Sequence, residues 1–258
     1  MQAIIWAAVL FLLTAATWLN NPKVESGGRL LEEGLEKLGI GKVVMENTAS
    51  LLERYIDEIE LFNPAYGLVK VRDRREIIVK HILDSLAPLH LIHRLLETKP
   101  CTADTRRRIA DVGSGAGLPG IPLAVCMPDA EFTLIERMGR RTGFLRDVLA
   151  VLSLANVMVE ETEMEKAGAG RFDLVVFRAF RPLVPAILNG LLRLLAPDGI
   201  IAAYKGRRQT VEEEITSLIK TPGKTAGLFT GPEHLSWEII PLEVPFLDEE
   251  RHLLLIHT

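Results

Sequence analysis

Arg108-Ile109-Ala110-Asp111-Val112-Gly113-Ser114-Gly115-Ala116-Gly117-Leu118-Pro119-Gly120-Ile121-Pro122 is the stretch that decides the fold. A short apolar run ends in an acid and glycines, and prolines then open an amphipathic segment, which reads as strand, tight turn and helix start. Glycine admits positive φ and leaves no side chain between loop and ligand, while the helix behind it presents unpaired N–H groups. Gly115-x-Gly117-x-x-Gly120 by itself suggests a dinucleotide pyrophosphate site. The acids argue otherwise. Asp111 stands two residues before Gly113, where its carboxylate would repel a pyrophosphate but accept from an amine or hydroxyl. Glu136 closes the next strand and is placed to accept from both ribose hydroxyls. Acids on both sides of the loop suit S-adenosylmethionine, an adenosine that carries an ammonium and a sulfonium instead of phosphates. The plainer reading of Asp111 is a cap on the glycine turn.

A chain of 258 residues holds one α/β domain with an extension more readily than two small domains. Its net charge of −4 creates no global field for nucleic acid, so any such binding must use a local patch. Cys101 and Cys126 are the only cysteines, without CxxC or Cys/His spacing; this fits a reducing, cytoplasmic setting and argues against a zinc site or a disulfide framework. Ala3 to Leu19 is an uncharged apolar run, short for a spanning helix and without a basic residue ahead of it. It reads as a membrane contact or, preferably, as an upstream extension of a soluble enzyme.

Working outward, a linker at Ser26-Gly27-Gly28 precedes helices expected over Arg29–Leu38, Glu46–Phe62 (ended by Asn63-Pro64) and Arg74–Leu86. Their apolar stripes need a partner surface in the part that follows. From Arg106 onward strand and helix patterns alternate, which implies βαβ units and a mainly parallel sheet. Strands are expected at Arg108–Val112, Phe132–Glu136, Val157–Glu160, Phe172–Arg178, Ile200–Lys205 and His252–His257, with Leu254–Ile256 buried. Helices are expected at Gly139–Leu152 and Leu183–Leu195, the latter stopped by Pro197-Asp198-Gly199.

In such a sheet the ligand crevice lies beyond the carboxyl ends of the strands. The residues following those ends are Arg137, Arg140 and Arg141, then Arg178 and Arg181, then Lys205, Arg207 and Arg208. Any one of them alone reads as a solvated surface charge. Their clustering on one rim of an acidic protein points to phosphates. His90-x-x-His93 has helical spacing but no third ligand nearby, so no metal site is expected. Ser85 and Ser114 lack a base. His81 reads as a core histidine, or with Asp84 and Ser85 as part of a pocket wall.

Five elements together resemble one family. Asp111-Val-Gly-Ser-Gly-Ala-Gly-Leu-Pro-Gly-Ile-Pro, Val71-Arg72-Asp73 with His81-Ile-Leu-Asp84-Ser85, Arg178-Ala179-Phe180, Lys205-Gly206 and Glu250-Arg251-His252 are similar to those of the RsmG (GidB) family. Its members are bacterial methyltransferases acting on guanine N7 of small-subunit ribosomal RNA. The resemblance runs from about Leu30 to the C-terminus. It departs at Gly67, where the family commonly has Asn, and at Thr162-Glu163.

The resemblance implies a Rossmann-like class I methyltransferase sheet whose last strand is antiparallel, under a helical N-terminal cap. Residues 1–29 would be leader and linker, 30–100 the cap and 101–258 the methyltransferase domain. It also implies S-adenosylmethionine contacts at Gly113, Leu118, Met164, Glu165 and Arg178, beside Asp111, Gly115, Gly117 and Glu136 of the loop reading. The implied partner is 16S ribosomal RNA or the small ribosomal subunit. Guanine N7 carries a free lone pair, so no general base is needed. Asp84 is the candidate to accept from guanine N1–H and the exocyclic amine, and Arg178 is the other candidate for the reaction. Two readings compete: a same-fold methyltransferase acting on a small molecule or protein, and a non-catalytic or membrane-anchored nucleotide binder.

Overall fold

The structure, a computed structural model, describes residues 22–40, 42–97, 106–220 and 235–257. The apolar run Ala3–Leu19 and Cys101 lie outside the described residues. Helices α1 (Pro22–Lys37) and α2 (Lys42–Tyr66) open the chain. Then α3 (Arg74–Ile77) runs through a π-helical segment (Ile78–Leu83) into α4 (Asp84–Leu86), and α5 (Leu89–Glu97) follows. The α/β part is β1 (Arg108–Val112), α6 (Gly120–Cys126), β2 (Glu131–Glu136), α7 (Gly139–Leu152), β3 (Val157–Glu161), a 3-10 turn (Met164–Lys166), β4 (Phe172–Arg178), α8 (Pro185–Leu194), β5 (Leu195–Lys205), α9 (Arg208–Lys220), β6 (Ser236–Leu242) and β7 (Arg251–His257).

The seven strands form one sheet in the order β3-β2-β1-β4-β5-β7-β6. β1 through β5 pair in parallel, while β7 runs antiparallel to both β5 and β6. This is the Rossmann-like class I arrangement. Alternation along the strands divides the core in two. Ile109, Leu174, Val176, Ala202 and Leu255 face the cluster that holds Leu31, Leu52, Tyr55, Ile56 and Ile59 of α1 and α2. Ala110, Val175, Phe177, Ile201 and Leu254 face the cluster that holds Leu191 and Leu192 of α8 and Val211 of α9. The helical stripes that needed a partner therefore join the core on this face of the sheet, α2 packing on α6 and α7. Leu254, Leu255 and Ile256 are buried.

Several boundaries differ from expectation. Ser26-Gly27-Gly28 is not a linker but part of α1. Farther along the helix, Gly34 is required by a close approach to its neighbour: a Cβ there would stand 2.4 Å from Leu83 Cδ1. Pro64 does not stop α2, which continues to Tyr66. Proline removes one N–H there, but the last turn is closed by Gly67 N–H donating to Asn63 O (2.8 Å) and held by Val69 N–H donating to Asn63 Oδ1 (2.9 Å). β5 starts at Leu195, ahead of Pro197-Asp198-Gly199, and its register against β4 shifts between Phe172 and Leu174. The turn-forming tripeptide is thus absorbed as an irregularity within the strand. α5, α9 and β6 carried no sequence expectation; Pro241 within β6 weakens the strand signal and is tolerated because β6 is an edge.

Candidate active site

The glycine loop is anchored from below. Gly113 and Ser114 N–H both donate to Ile135 O (2.8 and 3.2 Å), and Tyr55 O–H, from α2, donates to Ala116 O (2.6 Å). Gly113 and Gly117 have φ of +69° and +94°, which a side-chain-bearing residue adopts only with strain. Asp111 is fully buried, and its Oδ2 accepts from Ser114 Oγ (2.8 Å) and Gly120 N–H (2.9 Å). Gly120 is required by this approach, since a Cβ there would sit 2.7 Å from Asp111 Oδ2. The capping reading of Asp111 is therefore the one the geometry supports.

Burial pushes the Asp111 carboxyl up to about 6, against hydrogen bonds from Ser114 and Gly120 that favour its charge. The folded state then binds this proton more tightly than the unfolded chain, where the group titrates near ~4. Its contribution to stability is full below about pH 4 and is lost as pH rises through about 6, by up to ~3 kcal/mol. In Asp111→Asn the side-chain oxygen keeps both acceptor roles without titrating. The stability of wild type minus that of Asp111→Asn, from denaturation at each pH, is expected to fall between pH 4 and 7. A flat difference would show a normal carboxyl.

Glu136 is buried at the end of β2; its Oε2 accepts from Gly115 N–H (3.0 Å) and its Oε1 from Met138 N–H (2.9 Å). It lines a first hollow of about 450 Å³ together with Gly113, Arg137, Arg141, Glu163, Met164, Glu165 and Arg181. Arg141 Nη1 lies 3.7 Å from Glu136, and Arg181 is paired with Glu165 at 2.8 Å. Of the residues expected at a cofactor, Gly113, Glu136, Met164 and Glu165 share this hollow. Gly115 reaches it through Glu136. Asp111 and Leu118 are buried within the loop's underside, and Gly117 packs toward Ile121 and Leu145. The two carboxylates expected to face one ligand thus do different jobs.

A second hollow, of about 440 Å³, adjoins the first and shares the wall Ala179-Phe180-Arg181 with it. Ala179 takes φ +49°, turning Arg178 into the second hollow while Phe180 folds back over the loop, where a Cβ at Gly113 would stand 2.1 Å from its Cδ2. Lys70, Lys80, Arg178, Arg181, Lys205 and Arg251 line the hollow with Phe177, Phe180 and Tyr204. Asp84, almost completely buried, ties two of these cations: its Oδ2 accepts from Arg178 Nη1 (2.8 Å) and its Oδ1 from Arg251 Nε (3.0 Å). Arg178 Nη2 also faces His81 Nδ1 at 3.1 Å. A guanidinium only donates, so His81 carries its proton on Nε2. Burial, reinforced by the Arg178 charge, holds the imidazole down at about 3, so it stays neutral. The π-helical segment presents this pair, which regular helical spacing only partly anticipated.

Of the expected basic rim, Arg137, Arg141, Arg178, Arg181 and Lys205 line one hollow or the other, while Arg140, Arg207 and Arg208 do not. Lys205 is paired with Glu214 and Arg208 with Glu212. Arg140 lies over the Tyr66 ring, and Arg207 is exposed outside both hollows. Arg251, Lys80 and Lys70 were not singled out as site residues. Arg251 opens β7, and only the antiparallel direction of that strand brings its first residue beside the last residues of β4 and β5. Among the described residues no His/Cys/Asp/Glu group could hold a metal. His90 Nε2 lies 2.9 Å from Leu38 O, and Ser85 Oγ donates to His81 O (2.6 Å), a structural use of each. Burial pushes the Cys126 thiol up to about 12. Among the described residues no helix is long and apolar enough to cross a membrane.

This geometry agrees with comparisons to known proteins. A putative O-methyltransferase from Klebsiella pneumoniae shares the fold (TM-score 0.51, 18% identity, 81% of this chain and 89% of that one). Proteins named ribosomal RNA small subunit methyltransferase G align along nearly the whole chain. The Treponema denticola protein is 39% identical over 90% of this chain and 94% of its own length; that of Treponema pallidum strain Nichols is 37% identical over 89% and 93%. One from Acinetobacter baumannii is 34% identical over 88% and 95%. The GidB model, described as rRNA small subunit methyltransferase G, matches residues 48–222, which take in the loop, both hollows' shared wall and Asp84. On that extent of agreement the chain belongs to the rRNA small subunit methyltransferase G family.

Proposed function

We propose that the protein transfers the methyl group of S-adenosylmethionine to N7 of one specific guanine in 16S ribosomal RNA. The observation that carries the reading is the pair of adjoining hollows, one built on the Glu136 carboxylate and the other on six cations around aromatic rings. The first has the size and the donor set for an adenosyl amino acid. Glu136 retains lone pairs for the ribose diol beyond the two backbone N–H groups it accepts. Met138 and Ile135 offer apolar surface, and Glu163 and Glu165 stand near for cationic groups. Bound there, the donor supplies an electrophilic methyl on sulfur.

The second hollow would take the target nucleotide, with Lys80, Arg178 and Arg251 meeting phosphate or base oxygens and Phe180 offering a face to the base. Asp84 accepts one hydrogen bond on each oxygen from the two arginines and so positions them, and like Glu136 it keeps lone pairs on the hollow's wall for the guanine N1–H and exocyclic amine. An arginine bidentate to O6 and N7 would block the reacting atom. No general base is required, and His81 supplies none, because its unprotonated Nδ1 is occupied by Arg178 and burial holds the imidazole down at about 3. Positioning then provides the acceleration. The cations of the second hollow disfavour the small-molecule alternative, which has no use for them.

Mass spectrometry of small-subunit ribosomal RNA from a strain lacking the gene tests the reading. One N7-methylguanosine is expected to be lost there and restored by the gene. Persistence of the modification, or transfer by the purified protein to metabolites in preference to small subunits, would overturn it.

A further inference from the structure

The second hollow is more nearly neutral than its lining suggests, because acids sit on its cations. Asp84 holds Arg178 and Arg251, Glu214 holds Lys205, Glu165 holds Arg181, and Glu76 and Glu249 both hold Lys80. These acids differ in exposure. Side chains of Asp84 and Glu214 are 4% and 19% exposed and belong to the framework, whereas Glu165 is 47% and Glu249 51% exposed, and of these two only Glu249 bridges two lining cations. It belongs to the turn between β6 and β7. Glu249 Oε1 lies 3.3 Å from Lys80 Nζ, and Oε2 lies 3.0 Å from Arg251 Nη2. One carboxylate thus spans two lining cations that come from distant parts of the chain. The hydrogen bond from Arg251 and that from Lys80 hold its carboxyl below the usual range, so it is an anion throughout the neutral region.

We propose that Glu249 is a specificity-determining residue. Its carboxylate occupies the position of an RNA phosphate between Lys80 and Arg251, and screens out RNA that cannot displace it. The inference rests on the RNA-methyltransferase reading. An exposed ion pair is weak enough to be exchanged for a phosphate. An RNA that makes contacts throughout the hollow displaces Glu249 at small cost. An RNA held by backbone charge alone meets two cations already neutralised and a negative charge that remains beside them. An acidic protein acting on one site in a large RNA gains selectivity from such a competitor.

The test compares wild type with Glu249→Gln in binding poly(U), as the non-specific probe, and isolated small ribosomal subunits, over a series of salt concentrations. Glu238→Gln, an exposed acid on β6 away from the hollow, controls for net charge. Removing the Glu249 charge from between Lys80 and Arg251 is expected to raise poly(U) affinity about threefold to tenfold. The log–log salt dependence should steepen by about 0.7, one more phosphate contact on a single strand, because Lys80 keeps Glu76 and Arg251 keeps Asp84. The preference for small subunits over poly(U) should fall by the same factor, and Glu238→Gln should leave the slope unchanged. Unaltered or weaker poly(U) binding in Glu249→Gln, or an equal effect of Glu238→Gln, would overturn the proposal. Failure of wild type to bind either RNA would instead overturn the RNA reading on which it rests, so the two failures are distinct.

Discussion

Asp84→Ala is expected to destabilise the protein by about 4 kcal/mol, because removing one partner from a buried ion pair leaves uncompensated charge. Here Arg178 is stranded and Arg251 keeps only the half-exposed Glu249; the two guanidinia are 15% and 21% exposed, too little for water to replace the carboxylate fully. The loss is also mechanical. Asp84 lies on the helical side, Arg178 ends β4 and Arg251 begins β7, so one carboxylate fastens the helices to two separate strand ends. For a domain of this size the melting temperature should fall by about 10 °C. Methyl transfer, measured below that temperature, should fall at least about a hundredfold, since both guanidinia lose their aim. Asp84→Asn keeps the shape and one acceptor but not the charge, and should fall between wild type and alanine in both measurements. If Asp84→Asn retains full stability and turnover, the carboxylate does not position the arginines.

The parts of the fold that were legible in sequence are those where a local pattern has one solution. The glycine loop and the strand and helix of Arg108–Val112, Phe172–Arg178 and Gly139–Leu152 appear with the expected bounds. Each combines apolar periodicity with a clear stop. The misjudged places are those where tertiary contact overrides a local signal. Gly27 and Gly28 read as a linker, yet α1 runs through them. Pro64 read as a stop, yet the side chain of Asn63 and the N–H of Gly67 secure the turn. β6 carries a proline and no clean alternation, and it exists because β7 supplies a partner edge.

The site divides in the same manner. Glu136 was legible because a strand end followed by a turn dictates where its carboxylate points. Arg251, Lys80 and the role of Asp84 were not, because they meet only after an antiparallel strand and a π-helical turn bring them together. A rim reading based on residues that follow parallel strands selects Lys205 and Arg208, both of which the fold ties to acids of α9. It passes over a residue that begins a strand running the other way.

The sharpest consequence concerns the two carboxylates that the sequence alone treats as a pair. Glu136 lines the first hollow and Asp111 does not. Glu136→Gln should therefore weaken S-adenosylmethionine binding about a hundredfold, whereas Asp111→Asn should weaken it less than tenfold. Both oxygens of Glu136 accept backbone N–H groups, from Gly115 and Met138. Glutamine must turn its NH2 toward one of these, donor against donor, which disturbs the loop; it also loses the charge that strengthens hydrogen bonds from the ribose. Charge-assisted hydrogen bonds contribute about 1.5–3 kcal/mol each, so losing one and weakening a second gives about 3 kcal/mol, or two orders of magnitude in affinity. Asp111→Asn keeps the oxygen that Ser114 and Gly120 use, and nothing in the hollow changes directly. Calorimetric titration of each variant with S-adenosylmethionine measures both. Equal losses would mean that Asp111 touches the ligand after all, and no loss in Glu136→Gln would remove the ribose from the first hollow.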